Sequence, residues 1–566
     1  MPNPDHVIAY FTMEIGLGDE LPTYCGGLGM LAGDTVMAAA DLGVPMVAVS
    51  LLYRKGFFNQ SIDRNGKQRE APVEWDPASV LEEMPQRVHV PIEGRNVMVR
   101  CWRRMLRGVG GKYVPVYFLD TDLPENRPSD RRITHWLYQG DEADQLRQRA
   151  VLGIAGPRML RALTHDVTTY HMNEGHGFML ILEQMSEHLS RHNKSEVDAD
   201  CLAYAKHRTV FTTHTPIPAG HDTYPVAKVR DIVGQHPALN RPDLYGEGKT
   251  LNASVFSLNA SRYANGVARR HGEVSREMFP GYDIDSVTNG VHCARWTAPS
   301  FQKLFDLYCP EWRENNTDLR LAAGISDDEL LKAHDVAKRA YIKMVEGRTG
   351  PGMDPERFTI TFARRATPYK RANMIIEDLE RLVYLNDEVF PIQLVFTGKA
   401  HPNDQAGKAL IHSIVQAAKK VKKHFPIVYY PDYDMAMGAA STAGSELWLN
   451  NPLPPLEASG TSGMKAAING VPSLSTLDGW WIEGHVEHVT GWSIDDPAGI
   501  DGMKPEAVLR AHAQNAYDKL ERDILPTWRD DRSYWAEIMR SCISLNGSHF
   551  TTERMVKDYI HRAYLD

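Results

Sequence analysis

Two α/β domains of the Rossmann type are what this sequence predicts, and three observations carry the prediction. The first is an alternation of short β-rich runs with amphipathic segments, which fills one half of the chain and then repeats in the other. Strand–helix alternation implies parallel sheets joined by right-handed crossovers. The second is length: 566 residues exceed what one hydrophobic core serves, so two or more domains are expected. The third is the placing of the polar, glycine-rich and basic stretches directly after strand-like runs, where open α/β sheets bind ligands.

In the first half, 7–11 (VIAYF) reads as a buried strand, and 47–52 and 114–119 resemble it. Runs ending at Tyr170 and Phe211 follow. Segment 143–163 has apolar residues at three- and four-residue spacing, the mark of an amphipathic helix. The second half repeats the scheme, with strands at 358–362, 392–396, 427–430 and 447–449. Helices are read through Ile375, Leu379 and Leu382, then through Leu410, Ile414 and Ala418. The boundary is expected between 297 and 327, where Pro299 and Pro310 interrupt a polar stretch. The expected division is 1–310, 311–540 and a C-terminal helix at 541–566 packing back on the first domain, with the site in the cleft between the two domains.

Composition narrows the function. A net charge of -9 argues against a nucleic-acid partner, since phosphate backbones recruit basic faces. The residues after Met1 lack the basic and apolar regions of a secretory leader, and no apolar run approaches a membrane span, so a cytoplasmic location is expected. Six scattered cysteines form neither a disulfide framework nor a metal cluster, and no metal is expected.

Five loops could carry chemistry. Cys25-Gly26-Gly27-Leu28-Gly29 opens a helix, and its N–H groups could converge on an anion, although a plain tight turn reads equally well. Asn173-Glu174-Gly175-His176 and Thr212-Thr213-His214-Thr215 follow neighbouring strands. A lone histidine in either could be structural, but two polar loops side by side favour a binding role. Arg364-Arg365-Ala366-Thr367-Pro368-Tyr369-Lys370-Arg371 sets four cations after a strand, suited to a dianionic phosphate, against the alternative of a solvated basic turn. The most specific loop is Glu457-Ala458-Ser459-Gly460-Thr461-Ser462-Gly463-Met464-Lys465. Its small residues at a helix start can cradle phosphate, and Lys465 in a dry pocket could form a Schiff base; an exposed helix lysine is the plainer reading.

Taken together, these loops resemble the α-glucan phosphorylases. Residues 457–465, extended through Thr476-Leu477-Asp478-Gly479, are similar to that family's cofactor-lysine signature, and 365–370 to its phosphate loop. The glycine turn, 173–176, 211–216 and 265–268 fall in family order. The resemblance implies a GT-B-type fold, two Rossmann-like domains facing across a cleft, the first binding glucan and the second pyridoxal phosphate on Lys465. It also implies retaining phosphorolysis of terminal α-1,4-linked glucose by inorganic phosphate, with the cofactor phosphate relaying a proton, and a homodimer by family analogy. It carries Arg365 and Lys370 to the substrate phosphate. Gly27, Thr461, Ser462 and Arg364 go to the cofactor phosphate. Glu457, Ala458, Ser459, Gly460, Asn265, Tyr369 and His176 go to the sugar, and His214 to the transition state and the 6-hydroxyl. Arg364 stands where well-known members have lysine, and Thr367 where they have histidine. The rival readings are a nucleotide-sugar glucosyltransferase of the same fold, which has no use for Lys465 in this context, and an inactive glucan binder.

Overall fold

The computed structural model describes residues 6–246, 248–496, 500 and 502–565. The chain forms two compact units. Unit 1 comprises Met1–Phe58, Pro72–Thr288 and Met555–Asp566; unit 2 comprises Asn59–Ala71 and Asn289–Arg554.

Unit 1 is built on a nine-stranded sheet in the order Asp285–Ser286, Tyr263–Gly266, Thr209–Thr212, Val167–Asn173, Val7–Phe11, Met46–Leu51, Tyr113–Asp120, Arg95–Arg107 and Glu82–Ile92. The first seven pair in parallel, and the last two add as an antiparallel hairpin. Central strands such as Val7–Phe11 and Met46–Leu51 are covered on both faces, which is why they read as unbroken apolar runs rather than alternations. Winding reverses between Val7–Phe11 and Val167–Asn173, so the loops after these two strands flank a ligand-binding switch point.

The segment Met555–Asp566 closes unit 1. Tyr559 and Tyr564 are buried in it, their hydroxyls reaching Thr212 Oγ1 (3.1 Å) and His171 Nδ1 (2.6 Å).

Unit 2 has a six-stranded, wholly parallel sheet in the order Ile427–Tyr430, Ile392–Thr397, Phe358–Ala363, Leu447–Asn450, Ser473–Thr476 and Gly491–Ile494. Numbered along the chain this is the doubly wound 3-2-1-4-5-6 arrangement, with its switch point between Phe358–Ala363 and Leu447–Asn450. The hairpin Asn59–Ile62 and Gln68–Ala71 belongs to unit 2 as well. Gln60 and Asp432 exchange backbone N–H bonds through their side chains (2.9 and 2.8 Å), and Gln68 does the same work at Ala400.

Two expected elements differ. The helix through Ile375 and Leu382 is a 3-10 turn at Met374–Ile376 followed by a separate helix Leu379–Tyr384, because Asp378 caps Arg381 N (2.9 Å) and starts a new helix. The helical run over 143–163 does form, with a π turn at Val151–Ala155 inside it. Among the described residues no helix is long and apolar enough to cross a membrane, and no cluster of three acidic, histidine or cysteine side chains could hold a metal.

Candidate active site

In unit 2 the chain leaves Phe358–Ala363 into 364–371 and leaves Leu447–Asn450 into 451–461, the two loops of the switch point. Three side chains meet there. Arg364 Nη2 and Lys370 Nζ (3.0 Å) both bind Glu457 Oε2, and all three residues are buried. Burial opposes ionisation of Glu457, but the charges and hydrogen bonds of Arg364 and Lys370 override it and hold the carboxyl at about 2. Asp478, after Ser473–Thr476, accepts the N–H groups of Glu457 (2.8 Å) and Gly479 (2.9 Å). Burial, and then the neighbouring Glu457 charge, lift its carboxyl to about 7. Two acids pushed apart in this way suit a site that handles charge and protons near neutrality.

Glu457→Gln is expected to bring Asp478 below about 7, since the repelling charge goes and Arg364 is released towards it. Carboxyl carbon-13 titration reads this directly. An unmoved or raised value would show that the two acids are not coupled.

Arg364 Nη1 is buried without a hydrogen-bond partner, a donor suited to an anion that the protein does not itself supply. Arg365, next to it, is exposed. The Tyr369 ring lies 4.8 Å from Lys370 Nζ, and its carbonyl accepts Leu453 N (2.8 Å), tying the two loops together.

Segment 457–465 is shaped by small residues. Gly460 is left-handed (φ 77°), which a side chain resists. A Cβ on Gly463 would lie 2.8 Å from the Trp480 ring, so that indole presses directly on the helix start. Ser459 is buried, whereas Ala458, Gly460, Thr461 and Ser462 are half-buried. Ser462 Oγ accepts from Trp448 Nε1 (3.2 Å), leaving its own hydrogen to donate. Lys465, on helix Ser462–Ile468, is 5% exposed, with its ammonium 3.4 Å from the centroid of the Trp296 ring. An ammonium held on an aromatic face and shut from bulk water is stabilised by the ring rather than by solvation.

In unit 1, Gly27 is the exposed first residue of helix Gly27–Leu42, with open space where a Cβ would stand. The preceding N–H groups of Cys25 (2.7 Å) and Gly26 (3.1 Å) are held by Glu14, a buried acid on the strand-to-turn connection. Across the switch point, Asn173 Nδ2 donates to Thr12 Oγ1 (3.1 Å), and Asn173 Oδ1 accepts from His214 Nε2 (2.6 Å). Glu174, left-handed at φ 79°, accepts the N–H groups of Gly175 (2.9 Å) and His214 (2.7 Å). Burial, and then the neighbouring rings of His271, His171 and His176, hold His214 at about 3, so it is neutral and keeps the Nδ1 lone pair. His176 Nδ1 is buried without a partner.

Asn265 is not brought out beside these residues. It is fully buried, and its amide is spent on Thr212 Oγ1 (2.8 Å), Gly266 O (2.9 Å) and Tyr559 OH (3.0 Å).

Glu14 and Trp296 escaped the reading of the sequence, and Asp478 entered it only as part of the extended signature, with no role assigned. Glu14 had a local signal, an acid between a strand and a glycine turn. For Asp478, 21 positions from Glu457, and Trp296, far from Lys465, only the fold makes the pairing.

Comparison with known proteins gives the family. Residues 239–519, which span the loops of unit 2, match the family described as carbohydrate phosphorylase. The chain is 37% identical to a maltodextrin phosphorylase of Thermococcus litoralis over 100% of its own length and 71% of that protein. It is 37% identical to a glycogen phosphorylase of Mycobacterium tuberculosis, covering 98% and 70% of the two chains. With a glycogen phosphorylase of Aquifex aeolicus the identity is 33%, covering 98% and 86%. A basic loop and a buried lysine at the switch point of a doubly wound sheet, together with likeness of this extent, lead to one conclusion: the chain belongs to the carbohydrate phosphorylase family.

Proposed function

We propose that this chain is a retaining α-1,4-glucan phosphorylase of the GT-B type, which releases terminal glucose as α-glucose 1-phosphate with inorganic phosphate, and that pyridoxal phosphate is held at Lys465. The observation that carries the reading is the buried cluster of Arg364, Lys370 and Glu457 at the switch point of the sheet that also bears Lys465. The relatives named above as maltodextrin and glycogen phosphorylases support the substrate class.

The residues fit the cofactor. Lys465 offers a buried amine, the Gly460–Gly463 turn under Trp480 leaves no room for bulk, and Arg364 Nη1 is a buried donor without a protein acceptor. Thr461 and Ser462 would add hydroxyl groups at the helix start. When bound, the cofactor supplies a second phosphate able to exchange a proton with the substrate phosphate.

In the reaction a phosphate oxygen bonds to the anomeric carbon, the glycosidic C–O bond breaks, and the departing glucan oxygen takes the proton that the phosphate gives up. Lys370 and the exposed Arg365 would hold the dianion and stabilise charge as it develops. Glu457, ionised throughout the neutral range, would orient sugar hydroxyls and keep both cations in place. The neutral His214 and His176 rings would accept or donate to sugar hydroxyls without adding charge beside a cationic transition state.

The test is glucose 1-phosphate release from maltodextrin with and without inorganic phosphate, alongside a 260–500 nm spectrum of the purified protein. Phosphate-dependent product with near-visible absorption is expected. Product formed only from a nucleotide sugar, with no such absorption, would overturn the proposal.

A further inference from the structure

We propose that His512 is a positioning residue for the phosphate-handling loops, acting through Arg371. The inference rests on the reading of Lys370 and Glu457 given above and adds a residue outside every motif in the sequence.

The chain of contacts starts immediately after Lys370. Arg371 is left-handed (φ 53°), a conformation that a long side chain adopts only when its surroundings impose it. Its guanidinium is buried and spread over three acceptors: Asn451 O from Nε (2.8 Å), Pro452 O from Nη2 (3.0 Å) and His512 Nδ1 from Nη1 (2.7 Å). Asn451 answers by donating its Nδ2 to Lys370 O (3.2 Å) and Arg371 O (2.9 Å). The loop bearing Lys370 and the loop leading to Glu457 are thus cross-braced at their roots, with Arg371 as the strut.

His512 sits in helix Pro505–Lys519 and is fully buried. A guanidinium has no lone pair to offer, so His512 Nδ1 must accept and the ring proton must sit on Nε2. Asp496 Oδ1 takes that proton's bond at 3.0 Å. One tautomer therefore links a half-exposed carboxylate, through a buried ring, to the strut. The charged groups facing the ring are Arg371 and Asp496. Burial and then Arg371 hold the ring below its ordinary ionisation, with Asp496 opposing them, and burial brings Arg371 itself down to about 10. A second proton on His512 would set two N–H groups head to head, so the brace exists with the neutral ring and is lost as pH falls.

The experiment compares His512→Phe and His512→Asn with Lys370→Ala in the intact protein, measuring kcat and the separate KM values for phosphate and glucan from pH 5 to 8. His512→Phe fills the space but offers no acceptor. It is expected to raise the phosphate KM by about ten- to a hundredfold, the worth of one hydrogen bond to a charged group, with the glucan KM moved less than about twofold. His512→Asn keeps an oxygen near the Nδ1 position and no titrating group. It should recover most of the phosphate affinity and remove the further rise in phosphate KM that the parent shows below pH 6.5, beyond the ionisation of phosphate itself and of Asp478. A folded His512→Phe protein with unchanged phosphate KM, or both KM values moving together, would overturn the inference. If His512→Phe fails to fold, the His512→Asn profile decides: an acid rise like that of the parent overturns it. Lys370→Ala separates the two levels. An unchanged phosphate KM there sinks the phosphate site itself, whereas a large rise there beside inert His512 variants sinks only the role of His512.

Discussion

A Lys465→Ala protein is expected to purify without near-visible absorption and to lose phosphorolysis by at least about a thousandfold. The expectation comes from where the amine is kept. Lys465 is 5% exposed and rests on the Trp296 ring, so water does little to solvate its charge. Its helix is anchored independently: Asn469 at the far end donates to Trp296 O (2.8 Å) and accepts from Ala298 N (2.8 Å). Removing the lysine side chain should therefore leave the fold standing while removing the amine that would hold the cofactor. Lys465→Arg is the sharper control, since it keeps the positive charge but cannot hold an aldehyde covalently. Full activity in Lys465→Arg without absorption would mean that the lysine serves only as a cation.

Lowering the pH should unfold unit 1 well before unit 2. Unit 1 buries several neutral imidazoles: burial holds His171 and His214 at about 3, and His221, His236 and His271 at about 4. Each ring takes a proton more readily in the unfolded chain. Its contribution is therefore complete above about pH 6.5 and drains away as pH falls towards 3 or 4. His171 alone, enclosed by Tyr10, Tyr559 and Tyr564, accounts for a few kcal/mol on this basis, about 1.4 kcal/mol per unit of depression.

Unit 2 sets the buried ring of His512, which behaves as those of unit 1 do, against Asp478, which runs the other way. Asp478, raised from about 4 to about 7, favours the folded state fully only below about pH 4, and that contribution drains away as pH rises through 7. Glu457, at about 2, keeps its contribution down to about pH 4.5. Hydrogen exchange at pH 7.5 and pH 5, corrected for intrinsic rates, should show protection lost in the strands Val167–Asn173 and Thr209–Thr212 while Phe358–Ala363 and Ser473–Thr476 hold. Equal loss in both sets, or earlier loss in unit 2, would refute the argument.

The parallel strands were legible because a strand covered on both faces is an unbroken apolar run, as in Val7–Phe11 and Ile392–Thr397. The hairpin Glu82–Ile92 and Arg95–Arg107 was missed for the opposite reason. One face is wet, Pro85 and Pro91 interrupt it, and its turn uses Glu93-Gly94, both left-handed, instead of the usual Asn-Gly. The loops of the site could be placed because they follow strands. The partners that set their charge could not. Arg371 and His512 lie 141 positions apart, and no local pattern joins them. Asn265 shows the converse: the family resemblance carried it to the sugar, while the fold engages its amide with Thr212, Gly266 and Tyr559.

The division of the chain also bears on how the protein is made. It passes from one unit to the other at 58/59, 71/72, 288/289 and 554/555, so neither unit is one continuous stretch. A ribosome releases residues 1–288 long before Tyr559 and Tyr564 exist to satisfy His171, Thr212 and Asn265. Until then those buried polar groups have one another but not the tyrosine hydroxyls, and unit 1 must wait, incomplete and in need of protection, while the whole of unit 2 is synthesised.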